Sequence, residues 1–251
     1  MKKKIDINII AVLLFLLNSL VIHCQTDSDQ KVYYKWFDSI VGNGNISLYN
    51  GIQYKEKYRT LKGNHKYFLS SEYQTGNLVY ENQPYHDIAM KYDLFNDQLI
   101  VKLPFRSGFN FIQLDKEKID EFSINNDHFH SIIKQDETTL SKDDYGYFQA
   151  LFNKNNIRLY KKHIKNRKQY YDKEFIYSVF TEEFKYFIYL NNQIHNIDSK
   201  GSLIKLFPKR KKDINTFYNS KRQLRKSNLD IWMIQLVERL GNLSTNNITI
   251  K

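Results

Sequence analysis

The chain is poor in the residues that most often announce a chemistry. It holds one cysteine, three prolines and nine glycines in 251 residues. A single cysteine, Cys24, excludes an internal disulfide and a cluster of thiolates around a metal. Alanine is scarce, whereas tyrosine (19) and phenylalanine (17) are abundant, which favours sheet over a helical bundle. No glycine-rich phosphate loop, no H-E-x-x-H and no G-x-S-x-G occurs. Nucleotide cradling by a P-loop, zinc-peptidase chemistry and an α/β-hydrolase nucleophile elbow therefore have no motif to rest on.

What is present begins with address. Lys2-Lys3-Lys4 precedes an apolar segment, Ile7 to Ile22, interrupted only by Asn8, Asn18 and Ser19. A basic start followed by a short apolar stretch is the layout of a secretory signal, and it is short for a spanning helix of about 20 residues. Cleavage before Gln25 is the expectation. Lipidation at Cys24 and retention as an uncleaved anchor are the alternatives, and His23 departs from the small residue that lipidation wants. The exported chain would be Gln25 to Lys251, large enough for one sizeable core.

Charge is distributed unevenly. Residues 25–153 carry 14 Lys/Arg against 18 Asp/Glu, whereas residues 154–226 carry 19 against 6. The net charge of +11 thus belongs to one third of the chain. Three clusters hold it: Lys161, Lys162, Lys165, Arg167 and Lys168; then Lys209, Arg210, Lys211 and Lys212; then Lys221, Arg222, Arg225 and Lys226. A surface of this kind attracts phosphates or other anions. Export makes nucleic acid the poorer partner and an acidic lipid or glycolipid surface, or an envelope protein, the better one. A lysine-rich solvated face is the plain alternative.

The pattern along the chain predicts an α+β domain. Ser28 to Val41 reads as a short N-terminal helix with Val32, Trp36 and Ile40 at helical spacing. Two similar segments, Gly44 to Tyr54 and Gly76 to Tyr85, each read as a β-hairpin, the first about Asn50-Gly51 and the second about Asn82 to Pro84. Further strands are expected at 66–71, 86–92, 98–103, 110–115, 118–125 and 128–133, with hairpins over 147–162 and 184–197. That spacing describes an antiparallel meander of roughly 10 strands. From Ser199 the period changes: a basic helix over Lys209 to Ser220 and a last helix over Leu229 to Leu240, closed by Gly241, give two or three C-terminal helices. In the last helix Ile231, Ile234, Leu236, Val237 and Leu240 are expected inward. The organisation expected is a signal over 1–24, a β domain over 25–198, helices packed on it over 199–243, and a polar tail over 244–251.

Several of these residues resemble a known group. Tyr49-Asn50-Gly51-x-x-Tyr54, the stretch Gly76 to Asp93 ending in Tyr92-Asp93, and Asp97-x-Leu99-x-Val101 form one part of the likeness. Ser202-Leu203-x-x-Leu206-Phe207 with the basic helix after it forms the other. Together they resemble an uncharacterised family of exported proteins from Bacteroidota-type bacteria, over residues 44–241. The resemblance implies export and an α+β domain, and it carries no catalytic residue and no cofactor.

Candidate chemistry is thin. His128-x-His130 places two imidazoles on one strand face, and a metal would need a third ligand from His86, Asp87 or Asp127. Ser131-Ile132-Ile133-Lys134 matches S-x-x-K and Lys200-Gly201-Ser202 loosely resembles the K-T-G element of penicillin-binding enzymes, but the second serine motif is missing and Ser131 falls in a strand, where that chemistry starts a helix. The carboxylate pairs Asp87/Asp93, Asp120/Glu121, Asp143/Asp144 and Glu182/Glu183 include doublets whose neighbours point to opposite faces of a strand. Asp93 is expected to cap the turn after its strand. The leading expectation is a non-enzymatic envelope protein that binds an anionic partner. A hydrolase with dispersed acidic and histidine residues and a membrane-tethered contact to nucleic acid are the alternatives. Gathering of Asp87, Asp93, His128 and His130 in one pocket is the sign that favours the hydrolase.

Overall fold

A computed structural model describes residues 32–34, 36, 46–132, 145–154 and 156–245. Residues 32–34 and 36 are helical and belong to a compact unit ending at Ile40; the rest of the chain forms a second unit. The leader, Cys24, most of Ser28 to Val41, Lys134, Asp143 and Asp144 lie outside the described residues.

Eleven strands among the described residues make one sheet. They are β1 (Ile52–Gln53), β2 (Gln74–Tyr80), β3 (Gln83–Asp93), β4 (Gln98–Phe105), β5 (Gly108–Gln113), β6 (Ile119–Ile124), β7 (Asp127–Ile132), β8 (Gly146–Lys154), β9 (Ile157–Asp172), β10 (Phe175–Leu190) and β11 (Gln193–Asn196). Their order is β1-β5-β4-β3-β2-β6-β7-β8-β9-β10-β11, and all neighbours are antiparallel. Two meanders, β2–β5 and β6–β11, are joined because β6 returns to pair with β2. Asparagine makes the tight turns. Glu81 and Asn82 take φ of 54° and 63°, and Asn191 and Asn192 take 51° and 63°. Positive φ at both central residues is the turn whose twist suits a two-residue hairpin.

Four helices follow: α1 (Lys200–Leu206), α2 (Lys211–Ser220), α3 (Arg222–Ser227) and α4 (Leu229–Thr245). A capping box starts α1, with Ser199 and Ser202 each accepting from the other's backbone N–H. The Lys200-Gly201-Ser202 run is thereby a helix start. Asn228 Oδ1 accepts from the Ile231 amide at 2.9 Å and caps α4.

Three apolar clusters organise the second unit. One gathers residues of β2 to β8, among them Tyr85, Met90, Tyr92, Leu99, Phe122 and Phe129. Another lies between β9–β10 and the helices, where Leu159 and Ile188 meet Leu203, Phe217, Trp232 and Leu236. The third, with Phe148, Tyr160, Phe187 and Ile194, uses alternate strand residues and so lies on the opposite sheet face. At Gly76 the sheet has no room for a side chain: a Cβ there would lie 1.8 Å from the Ser123 carbonyl oxygen on β6.

Some expectations need correction. Asn50-Gly51 is no hairpin turn; Ser47–Asn50 is a 3-10 turn and Gly51 has φ −80°. Gly51 is required by closeness instead, since a Cβ would lie 2.4 Å from the Gln113 carbonyl oxygen. Residues 66–71 pair with β3 only at Tyr67 and otherwise run as loop. The second hairpin turns at Glu81-Asn82 rather than Asn82 to Pro84. Gly241 does not stop the last helix, which continues to Thr245. Ile231 is exposed, while Trp232 and Met233 are buried. Trp232, Leu236 and Leu240, spaced by four, set the inward stripe and rotate Ile231 outward.

Candidate binding cleft

Tyr54 to Tyr73 joins β1 to β2 without a strand of its own. A connection of that length usually carries function. It is held from several sides. Asn64 Nδ2 donates to the Phe180 carbonyl at 2.9 Å and Asn64 Oδ1 accepts from the Phe180 amide at 2.7 Å. Lys165 Nζ donates to the His65 carbonyl at 2.7 Å, and the Phe68 amide to the Tyr92 carbonyl at 2.9 Å. The loop thus spans β3, β9 and β10 and encloses a half-open cleft of about 530 Å³ with Lys91 and Phe111 from the sheet.

One wall is a polar knot. Lys66, almost fully buried, pairs with Asp93 Oδ2 at 2.9 Å and with Glu56 Oε1 at 3.2 Å. The two Glu56 oxygens also accept from the Lys57 and Tyr58 amides at 2.9 and 3.1 Å, from the Tyr54 hydroxyl at 2.8 Å, and from the Tyr67 hydroxyl. Partial burial pushes the Glu56 carboxyl up. The phenols of Tyr67 and Tyr54, the Tyr58 amide and the Lys66 charge outweigh it and hold the pKa at about 2. Burial pulls Lys66 down, but Asp93 and Tyr54 more than reverse this and leave it raised. Burial and the hydrogen bond to Glu56 push Tyr67 well up.

Lys91 stands apart. Its ammonium lies 4.9 Å and 4.3 Å from the ring centres of Tyr67 and Tyr73, a cation–π sandwich. It makes no ion pair or side-chain hydrogen bond among the described residues. Burial lowers its pKa.

The residues singled out in the sequence fall elsewhere. Lys161 is buried and pairs with Asp230 of α4 at 2.8 Å. Lys162 is buried and donates to the Tyr145 carbonyl at 2.6 Å. Arg167 lies over Tyr58, 4.8 Å from the ring centre, and Lys168 is exposed. Lys209, Lys211, Lys212, Lys221, Arg222 and Lys226 are exposed on the helical segment. Arg210 lies 4.0 Å from Asp213, and Arg225 lies 4.9 Å from the Tyr218 ring centre.

Asp93 ends β3 and accepts from the Phe95 and Asn96 amides at 3.0 and 3.1 Å, the turn cap expected of it. The four hydrolase candidates are not gathered. Asp93 belongs to the Lys66 knot, and His128 lines a separate groove with His86. His130 lies 3.2 Å from Glu121. Among the described residues no three His, Cys, Asp or Glu side chains group as metal ligands. In the Glu182/Glu183 doublet, Glu182 meets His163 at 3.3 Å and Glu183 accepts from Asn166 at 2.8 Å. Ser131 lies in β7.

Sequence reasoning missed Tyr54, Glu56, Lys66, Tyr67 and Lys91. The available signal was tyrosine interleaved with charge, Tyr54-x-Glu56-x-Tyr58 and Lys66-Tyr67, over a stretch without apolar period. No family model, no curated protein and no solved structure matches this chain.

Proposed function

We propose that this chain is an exported, non-enzymatic cell-envelope binding module, an α+β domain that includes the N-terminal helix Ser28 to Val41. Its exposed basic C-terminal segment faces an anionic lipid or glycolipid surface, in keeping with the exported family its motifs resemble. One observation carries this reading. Lys209, Lys211 and Lys212 crowd the start of α2, which has no side-chain cap, and none of the three forms an ion pair among the described residues. Cations at the positive end of a helix dipole cost about 0.3–1 kcal/mol each, and an anionic partner offsets that cost. Lys161, Lys162 and Lys165 are engaged inside the fold, so the outward set is Arg167, Lys168, Lys209, Lys211, Lys212, Lys221, Arg222 and Lys226. The groups of the polar knot support binding over turnover: a general acid or base works best with a pKa near the working pH, and Glu56, Lys66 and Tyr67 are all moved away from it.

The test is the triple variant Lys209→Gln/Lys211→Gln/Lys212→Gln. Co-sedimentation with anionic vesicles should drop and lose most of its salt dependence, while the melting temperature holds or rises because the dipole conflict is relieved. Unchanged vesicle binding in the variant, or wild-type binding indifferent to salt, refutes the proposal.

A further inference from the structure

The cleft carries a second and independent assignment. The Lys91 ammonium has three donor directions and no hydrogen-bonding acceptor among the described residues, and it lines the cleft between the rings of Tyr67 and Tyr73. Around it, the hydroxyls of Tyr58, Thr60, Ser71 and Tyr73 make no hydrogen bond among the described residues, and each can both donate and accept. Phe111 adds an apolar ring, tilted against Tyr73 at 5.5 Å between centres.

Charge restricts what fits. Lys66 is neutralised by Glu56 and Asp93, so Lys91 and the exposed Lys62 are the cations left over. Glu72 and, after it, Glu56 lie close enough to act on Lys91 and oppose the effect of burial, whereas Lys102 and Lys66 act in the other direction. A dianion would meet Glu72 and Glu56 with too little compensation, whereas a single negative charge matches the Lys91 ammonium, Lys62 being exposed to solvent. Several vacant hydroxyls ask in turn for a ligand rich in hydroxyls. The size of the cleft, about 530 Å³, is that of ordinary small-molecule sites.

We propose that this cleft binds an acidic sugar, a single carboxylate carried on a hydroxylated ring, with Lys91 as its counter-charge and the hydroxyls of Tyr58 and Tyr73 as hydrogen-bonding partners. The assignment does not rest on the basic helical segment.

The experiment is calorimetric titration of the full chain with glucuronate, glucose and inorganic phosphate, each to about 10 mM, above the millimolar range of weak affinity. Glucuronate should bind, glucose should bind about tenfold more weakly or not at all, and phosphate should not exceed glucuronate. Lys91→Gln should weaken glucuronate binding about tenfold or more, the size of one charge-assisted contact. Lys91→Arg should retain it, which separates loss of charge from loss of fold. Because burial lowers the Lys91 pKa, affinity should fall as pH rises before the ordinary lysine value of 10.5 is reached. The Lys209→Gln/Lys211→Gln/Lys212→Gln variant should bind glucuronate as the parent does, so failure here and failure of the vesicle proposal are told apart. No heat with glucuronate, equal affinity for glucose, tighter binding of phosphate, or an unaffected Lys91→Gln variant overturns the assignment.

Discussion

Glu56 is a side chain whose surroundings fix one protonation state. Five donors converge on its two oxygens, more than the roughly four lone pairs of a carboxylate, so at least one lone pair is shared. The folded pKa of about 2 lies below the ordinary 4.5. A depressed acid contributes stability that is complete above the unfolded value and disappears as pH falls through the folded one. The window is therefore pH 4.5 down to about 2. Melting temperatures across that range should fall less steeply for Glu56→Gln than for the parent. At neutral pH the variant should lose about 1 kcal/mol, since the side chain is 42% exposed and solvent screens it. Equal slopes for the two proteins rule the account out. The interleaving of tyrosine with charge marks the segment of Tyr54, Glu56 and Lys66 in the sequence, but not their roles, which come from convergence. Lys66 meets Asp93 across 27 positions, and no local spacing encodes that. Asp93 was legible as a turn cap because its partners are two and three residues away.

Among the elements, the loop 54–73 depends on Asn64. Its amide replaces a strand neighbour along the outer edge of β10, giving Phe180 both a donor and an acceptor. Asn64→Ala should cost about 1–3 kcal/mol for the groups left unpaired. Amide exchange at Phe180 should accelerate selectively, with amides of β4 unchanged. Uniform acceleration across the sheet would show that the loop is not a separately held element. Strands of the β3–β7 region were legible because one face alternates apolar residues and asparagine marks the turns. The outer part of the β9–β10 hairpin was not. Residues 163–183 are charged and aromatic without alternation, yet pairing continues from Asp172↔Phe175 to Arg158↔Tyr189. Backbone hydrogen bonds and opposite charges such as Lys165 facing Glu182 sustain it where no core demands a period. Asn50-Gly51 misled for a related reason: its glycine answers a neighbouring strand rather than its own chain direction.

For the whole molecule, charge and address are the properties open to test. If residues 1–24 are a signal, mass spectrometry of the mature protein should place the N-terminus at Gln25 in an envelope fraction. Full-length chain in the cell interior would contradict export, and a diacylated Cys24 would replace cleavage by lipidation. Net charge was legible from composition, but its division was not. Lys161 and Lys168 look alike in sequence, and only the packing of α4 against β9 turns the first into an internal partner of Asp230.

The return of β6 to β2 sets an order of events for a chain made from its N-terminus. While β2 to β5 emerge and fold back on one another, the outer edge of β2 waits for Ile119–Ile124. Until then a row of unsatisfied amides and carbonyls stands open to any passing strand. Gly76, admitted there only because β6 comes so near, lies on that waiting edge. A helper that shields nascent sheet would find a target at this seam.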